Sequence, residues 1–118
     1  MNPEPTIETL LPLPPATLHI LLALADGERH GYAIIQDVEA RTDGELRMSA
    51  GTLYRSIARM VEQELILEVA NRRTRAEDER RRYYRLTPFG TAVARAEVHR
   101  LSQLVRDARA RGLTPRTA

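Results

Sequence analysis

Residues 47–60 read RMSAGTLYRSIARM, and their types and spacing suit one chemistry in particular. Ser49 is a good helix cap, because its hydroxyl can accept from an otherwise unpaired backbone N–H. The turn that follows holds Gly51 and Thr52 and no acid. A helix end of this kind offers unpaired N–H groups and a partial positive charge, and both favour phosphate. Gly51 has no side chain to hold a sugar-phosphate backbone away, and Thr52 and Tyr54 carry hydroxyls for phosphate oxygens. At about 100° per residue, Leu53, Ile57, Met60 and Val61 form an apolar face, with Met48 placed to staple onto Leu53. Gly51, Thr52, Arg55, Arg59 and Glu62 lie opposite, with Tyr54 on the flank. From there Arg55 and Arg59 can reach base edges in a major groove. Taken alone, the same pattern also describes an ordinary amphipathic helix with a solvated polar face.

A second basic segment follows. Residues 72–85 contain seven arginines (Arg72, Arg73, Arg75, Arg80, Arg81, Arg82, Arg85) against Glu77, Asp78 and Glu79. A basic hairpin beside a basic helix suits DNA backbone or minor-groove contact. All 18 basic side chains are arginine, the residue that forks onto phosphate and guanine, although GC-rich coding has the same effect on composition. The acidic triplet and a net charge of only +2 leave an alternative open: a winged-helix module that binds protein rather than DNA.

Catalytic chemistry finds no support. His19, His30 and His99 lack metal-type spacing, and no phosphate-cradling glycine loop is present. His30, at a helix start, reads as a capping and packing residue. The expectation is therefore no enzyme, no cofactor and no metal. The absence of cysteine excludes disulfides and thiolate metal sites and fits a reducing compartment. No apolar run reaches membrane-spanning length, so a soluble cytoplasmic protein is expected.

The elements that must position these groups follow from periodicity. Residues 1–14 are Pro-rich and read as an irregular arm, with Ile7, Leu10, Leu11 and Leu13 suggesting docking on the last helix. A first helix starts at Pro15, with Leu18, Leu21, Leu22 and Ala25 as its buried stripe, and stops at Gly27. A second runs through HGYAIIQDVEARTDG with Tyr32, Ile34, Ile35 and Val38 inside, and ends at Asp43-Gly44. The link to the third helix could hold a minimal strand through Leu46 and Met48. Alternation of Leu65, Leu67 and Val69, and of Tyr84 and Leu86, gives two strands joined by a long turn. Thr87-Pro88 then caps and opens a last helix to about Arg111, stopped by Gly112 and Pro115. Its Ala94, Val98, Leu101, Val105 and Ala108 step by 4, 3, 4, 3, a short a/d seam. A helix of this length spans about 30 Å, more than a small domain can cover. The seam therefore predicts a two-fold homodimer presenting two recognition helices to a palindromic double-stranded site; packing on the chain's own arm is the alternative. The fold expected is mainly α with a small β-hairpin, a winged helix-turn-helix plus a long C-terminal dimerisation helix. Its parts are an arm over 1–14, the DNA-binding domain over 15–87, the dimerisation helix over 88–112 and a tail over 113–118.

Three elements, HGY in LLALADGERHGYAIIQDVEART, GTLY in MSAGTLYRSIARMVEQELI, and YYRLT..G in RRRYYRLTPFGTAV, resemble the PadR family of bacterial transcription regulators in order and spacing. The single C-terminal helix is similar to the family's smaller subgroup. The resemblance covers about residues 15–105. It implies a dimeric winged-helix repressor, relieved in many members by a small molecule or another signal. It implies DNA contact around Ser49, Gly51, Thr52, Tyr54 and Arg55 and at the wing through Arg80 to Arg82, with Tyr84 a packing residue. Two departures stand out. Glu64 occupies the place of a family glycine suited to a left-handed helix end, implying strain or a different helix exit. The chain also lacks the Trp that lines an aromatic ligand pocket in some relatives.

Overall fold

Pro15 opens the first long helix, as its fixed backbone angle and missing N–H favour. The computed structural model describes residues 5–69 and 82–113. Along these run α1 (Ile7–Leu10), α2 (Pro15–Leu24), β1 (Arg29–His30), α3 (Gly31–Arg41), α4 (Ala50–Glu62), β2 (Ile66–Val69), β3 (Tyr83–Leu86) and α5 (Pro88–Ala110). The expected strand through Leu46 and Met48 does not form. The third strand is Arg29–His30, which pairs with Tyr84 and Tyr83 in an antiparallel sheet of order β1-β3-β2. Two residues are too short for any alternation to show in sequence.

Helices α2, α3 and α4 enclose one core with the sheet, and Leu53, Met60, Leu65, Ile34 and Val38 are fully buried in it. On α2 the buried face is Thr17, Ile20, Leu21 and Leu24, so the expected stripe is rotated, and Leu22 and Ala25 are exposed. The helix is apolar on nearly every side, so periodicity has little to select. On α3 the inward residues are Gly31, Ile34 and Val38, while Tyr32, expected inside, is 61% exposed. The cause is a close crossing: a Cβ on Gly31 would lie 2.7 Å from Tyr54 Oη and 3.2 Å from Leu53 Cδ2. Val61, expected on the buried face of α4, is exposed. His30 caps α3 as expected, Nδ1 accepting from the Ala33 N–H at 3.1 Å. Asp43 and Gly44, both at positive φ, end it.

The exit of α4 meets the entry of α5. The Leu65 N–H donates to the Met60 carbonyl (2.9 Å) and the Glu64 N–H to that of Val61 (3.0 Å), a Schellman-type end with Glu64 at φ 61°. The helix thus keeps a left-handed exit with Glu64 in it, which is a strained place because an L side chain is disfavoured in this region. The Thr87 hydroxyl donates to the Glu64 carbonyl (2.6 Å) and accepts from the Gly90 N–H (2.9 Å), capping α5. A Cβ on Gly90 would overlap the Leu65 carbonyl oxygen. Only glycine lets α5 lie this close.

The arm is not wholly irregular. Thr6 and Thr9 cap one another around the short α1, and the arm packs on α5 of its own chain. The Leu13 N–H donates to Glu97 Oε2 at 2.7 Å, and Glu97 also pairs with Arg100. Glu97 is only 1% exposed. Hydrogen bonding to Arg100, aided by the Leu13 N–H and opposed by burial, holds its carboxyl below the ordinary glutamate value.

Candidate nucleic-acid interface

The solvent face of α4 is built from its cap outward. Ser49 Oγ accepts from the Thr52 N–H (3.1 Å) and lies 3.0 Å from Thr52 Oγ1, which in turn lies 3.4 Å from Arg55 Nη2. The N–H groups of Ala50 and Gly51 have no acceptor among the described residues. A Cβ on Gly51 would meet nothing nearer than Ser49 Oγ, 4.0 Å away, so nothing inside the protein requires glycine there. Gly51, Tyr54, Arg55 and Arg59 are exposed and Thr52 half-buried, one continuous polar surface as the spacing predicts. Tyr54 stands over Gly31, so HGY positions the aromatic ring of GTLY. The helical pattern placed Tyr54 on the flank but held no sign of this support.

Of the wing arginines, Arg82 is exposed just before β3 and lies 3.7 Å from Glu68 Oε1 across the hairpin. Arg80, Arg81, the acidic triplet and Pro115 lie outside the described residues. Tyr84 is buried in the core. Burial first, then the Glu68 carboxylate, push its phenol above the ordinary value, so it adds no negative charge to the wing.

The seam residues divide. Ala94 and Ala108 are half-buried, whereas Val98 (46% exposed), Leu101 and Val105 face solvent together with Leu104, which the a/d pattern omitted. The side of α5 turned to the body carries Phe89, Gly90, Val93 and Glu97 instead. An apolar groove of about 410 Å³, lined by Leu21, Leu22, Leu86, Ala94 and Val98 among others, continues the seam toward α2.

Sequence reasoning passed over two residues near these surfaces. Glu97 was visible only as half of a Glu-to-Arg pair three residues apart. Thr17 was visible only as a hydroxyl in an apolar helix, and it lines a depression with Arg55, Ser56 and Arg59. Among the described residues no group of three or more His, Asp or Glu could hold a metal, and no helix is long and apolar enough to cross a membrane.

The family model described as "Transcriptional regulator PadR-like family" matches residues 20–96. The chain belongs to this family. The match takes in the PadR-like helices α3 and α4, the sheet and the α4–α5 joint. It stops before Glu97 and most of the seam, and begins after Thr17. An uncharacterized 37.1 kDa protein in transposon TN4556 of Streptomyces fradiae is 36% identical over 89 residues, 75% of this chain and 24% of that protein. The chain thus spans about a quarter of that relative's length. A PadR family transcription regulator from hypervirulent Clostridium difficile shares the fold at TM-score 0.68 and 22% identity, over 80% of this chain and 95% of that one. Bacillus subtilis PadR, solved in complex with operator DNA, shares it at TM-score 0.63 and 17% identity, over 74% of this chain and 48% of that one. PadR-like winged-helix architecture is therefore the fold of this chain.

Proposed function

We propose that this PadR-like protein is a homodimeric, sequence-specific DNA-binding regulator, acting as a repressor that a small molecule or another signal relieves. One observation carries the reading: the first turn of α4 keeps a glycine and two unpaired N–H groups at the surface, beside Arg55, with no packing reason to do so. In this reading Ser49, Gly51, Thr52 and Tyr54 meet the backbone, Arg55 reads base edges, and Arg59 and the wing arginines Arg80, Arg81 and Arg82 add charge. The solvent-facing Val98, Leu101 and Val105, with Ala94 and Ala108 and the adjoining groove, support a partner chain covering α5, which sets two copies of α4 on a palindromic operator. Repression and its relief rest on the family resemblance alone.

The test is fluorescence anisotropy with a duplex from upstream of the protein's own gene and a shuffled control, at several salt concentrations. Tighter binding to the native duplex, with a steep salt slope on both, supports the reading. Arg55→Ala should then relax the preference, while Arg81→Ala weakens both duplexes equally. Equal losses on both duplexes in both variants would remove Arg55 from the role of base reader. The pairing of Arg82 with Glu68 favours one competing reading, a protein-binding winged helix, which predicts early elution from heparin at low salt.

A further inference from the structure

A depression of about 300 Å³ lies between the N-terminus of α2 and the polar face of α4, lined by Pro14, Ala16, Thr17, Arg55, Ser56 and Arg59. We propose that it is a phosphate-binding site that takes one phosphodiester of the bound DNA's backbone. The inference rests on the DNA-binding reading above and adds to it a contact from α2.

Four features converge there. Helix α2 has ten residues, and its cap, Pro14, makes no side-chain bond. The N–H groups of Ala16 and Thr17 have no acceptor among the described residues, and the first turn carries no acid. Thr17 is only 6% exposed, on the same helix face as Ile20, Leu21 and Leu24, yet its hydroxyl has no hydrogen-bond partner among the described residues. The rest of Thr17 is packed away, but its hydroxyl oxygen keeps access to solvent, and Thr17 lines the depression. Finally, among the described residues Arg55 and Arg59 supply the only charges on the lining, both positive. An anionic oxygen in the depression would be the acceptor that Thr17 Oγ1, Ser56 and the two N–H groups lack, with a guanidinium to neutralise it. Leu13, bound through its N–H to Glu97, precedes Pro14 and ties this end of α2 to α5. Arg59 thereby becomes a backbone contact, and Arg55, nearer the first turn of α4, keeps the base edges.

The test combines variants with a modified ligand. Thr17→Val, Thr17→Ser and Arg59→Ala are titrated against the upstream duplex, its shuffled control, and duplexes carrying one neutral methylphosphonate at each backbone position in turn. Thermal melts check that each variant folds. In parallel, amide NMR follows Ala16 and Thr17 as inorganic phosphate is added. The expected result is a loss of about fivefold for Thr17→Val on native and shuffled duplex alike, retained affinity for Thr17→Ser, and a salt slope reduced by about one for Arg59→Ala. One methylphosphonate position per half-site should cost the wild type about tenfold and Thr17→Val nothing further. Thr17→Val binding as wild type, or additive losses at every methylphosphonate, overturns the site. Phosphate-induced shifts in a protein that binds no duplex overturn the DNA reading and assign the site to a free phosphate ligand. No shifts and no effect of Thr17→Val in a protein that does bind DNA overturn only the site.

Discussion

Helices α4 and α5 both begin with a hydroxyl cap and carry a glycine in the first turn, Gly51 in one and Gly90 in the other. Ser49 accepts from the Thr52 N–H and Thr87 from the Gly90 N–H, at nearly equal distances. The surroundings differ completely. Gly90 lies against the Leu65 carbonyl with no room for a Cβ, and the Thr87 hydroxyl is committed to Glu64. Gly51 faces open space. The same local chemistry thus serves an internal joint at one helix and a solvent-facing end at the other, where the DNA contact is proposed. A glycine indicates close approach, but only its neighbours show whether the approaching group belongs to the protein.

The largest expected effect tests the internal half of this comparison. Gly90→Ala drives a methyl into the Leu65 carbonyl, and urea denaturation should show a loss of about 3 kcal/mol. A loss below 0.5 kcal/mol, on the order of ordinary surface substitutions, would mean that the joint is not close-packed.

Next comes the contact of the arm with the same body-facing side of α5. Glu97→Ala leaves the Leu13 N–H without its acceptor and Arg100 without its carboxylate, for a loss of about 2 kcal/mol. The pH dependence has a definite sign. Because the folded state lowers the Glu97 pKa, its contribution is complete above the ordinary value of 4.5 and is lost as pH falls through the lowered one. Urea midpoints measured down the acid range should therefore fall less steeply for Glu97→Gln than for the wild type. Parallel acid limbs would remove Glu97 from the arm's anchorage.

Glu64→Gly should raise stability by about 1 kcal/mol, since glycine adopts the φ of 61° without the cost of a Cβ. A thermal melt unchanged or lowered would mean that the Glu64 side chain contributes more than its backbone angle costs.

The smallest effect sharpens the outward half. Gly51→Ala should stabilise the fold by about 0.5 kcal/mol through helix propensity, there being nothing to clash with. The same variant should bind DNA more weakly. Improved folding with unchanged anisotropy titrations would show that no backbone approaches the first turn of α4.

Much of this was legible in the residues. The Ser49 and Thr87 caps, the stop at Asp43-Gly44, the buried Leu53, Ile57 and Met60, and the exposed Arg55 and Arg59 follow from short-range rules that act within a turn or two. Helix α2 was not legible to that degree, because Leu18, Ile20, Leu21, Leu22 and Leu24 surround its axis and offer no polar face to orient it. Tyr32 and Val61 were misplaced because an apolar residue on the edge of a stripe is buried only if the packing turns it inward: the close crossing at Gly31 turns Tyr32 outward, and Val61 is left exposed.

What the sequence by itself determined, then, is the four long helices, the two strands of the hairpin, the helix caps and the polar face of α4, since each depends on residues close together in the chain. The tertiary structure alone decided three things. It made Arg29–His30 the third strand, by laying it along Tyr83 and Tyr84. It joined Leu13 to Glu97 across 84 positions. And it gave Gly31, Gly51 and Gly90 different work, by placing Tyr54, open space and the Leu65 carbonyl beside them. These are contacts between distant segments, whose partners are chosen by how the helices pack, and no local pattern carries that information.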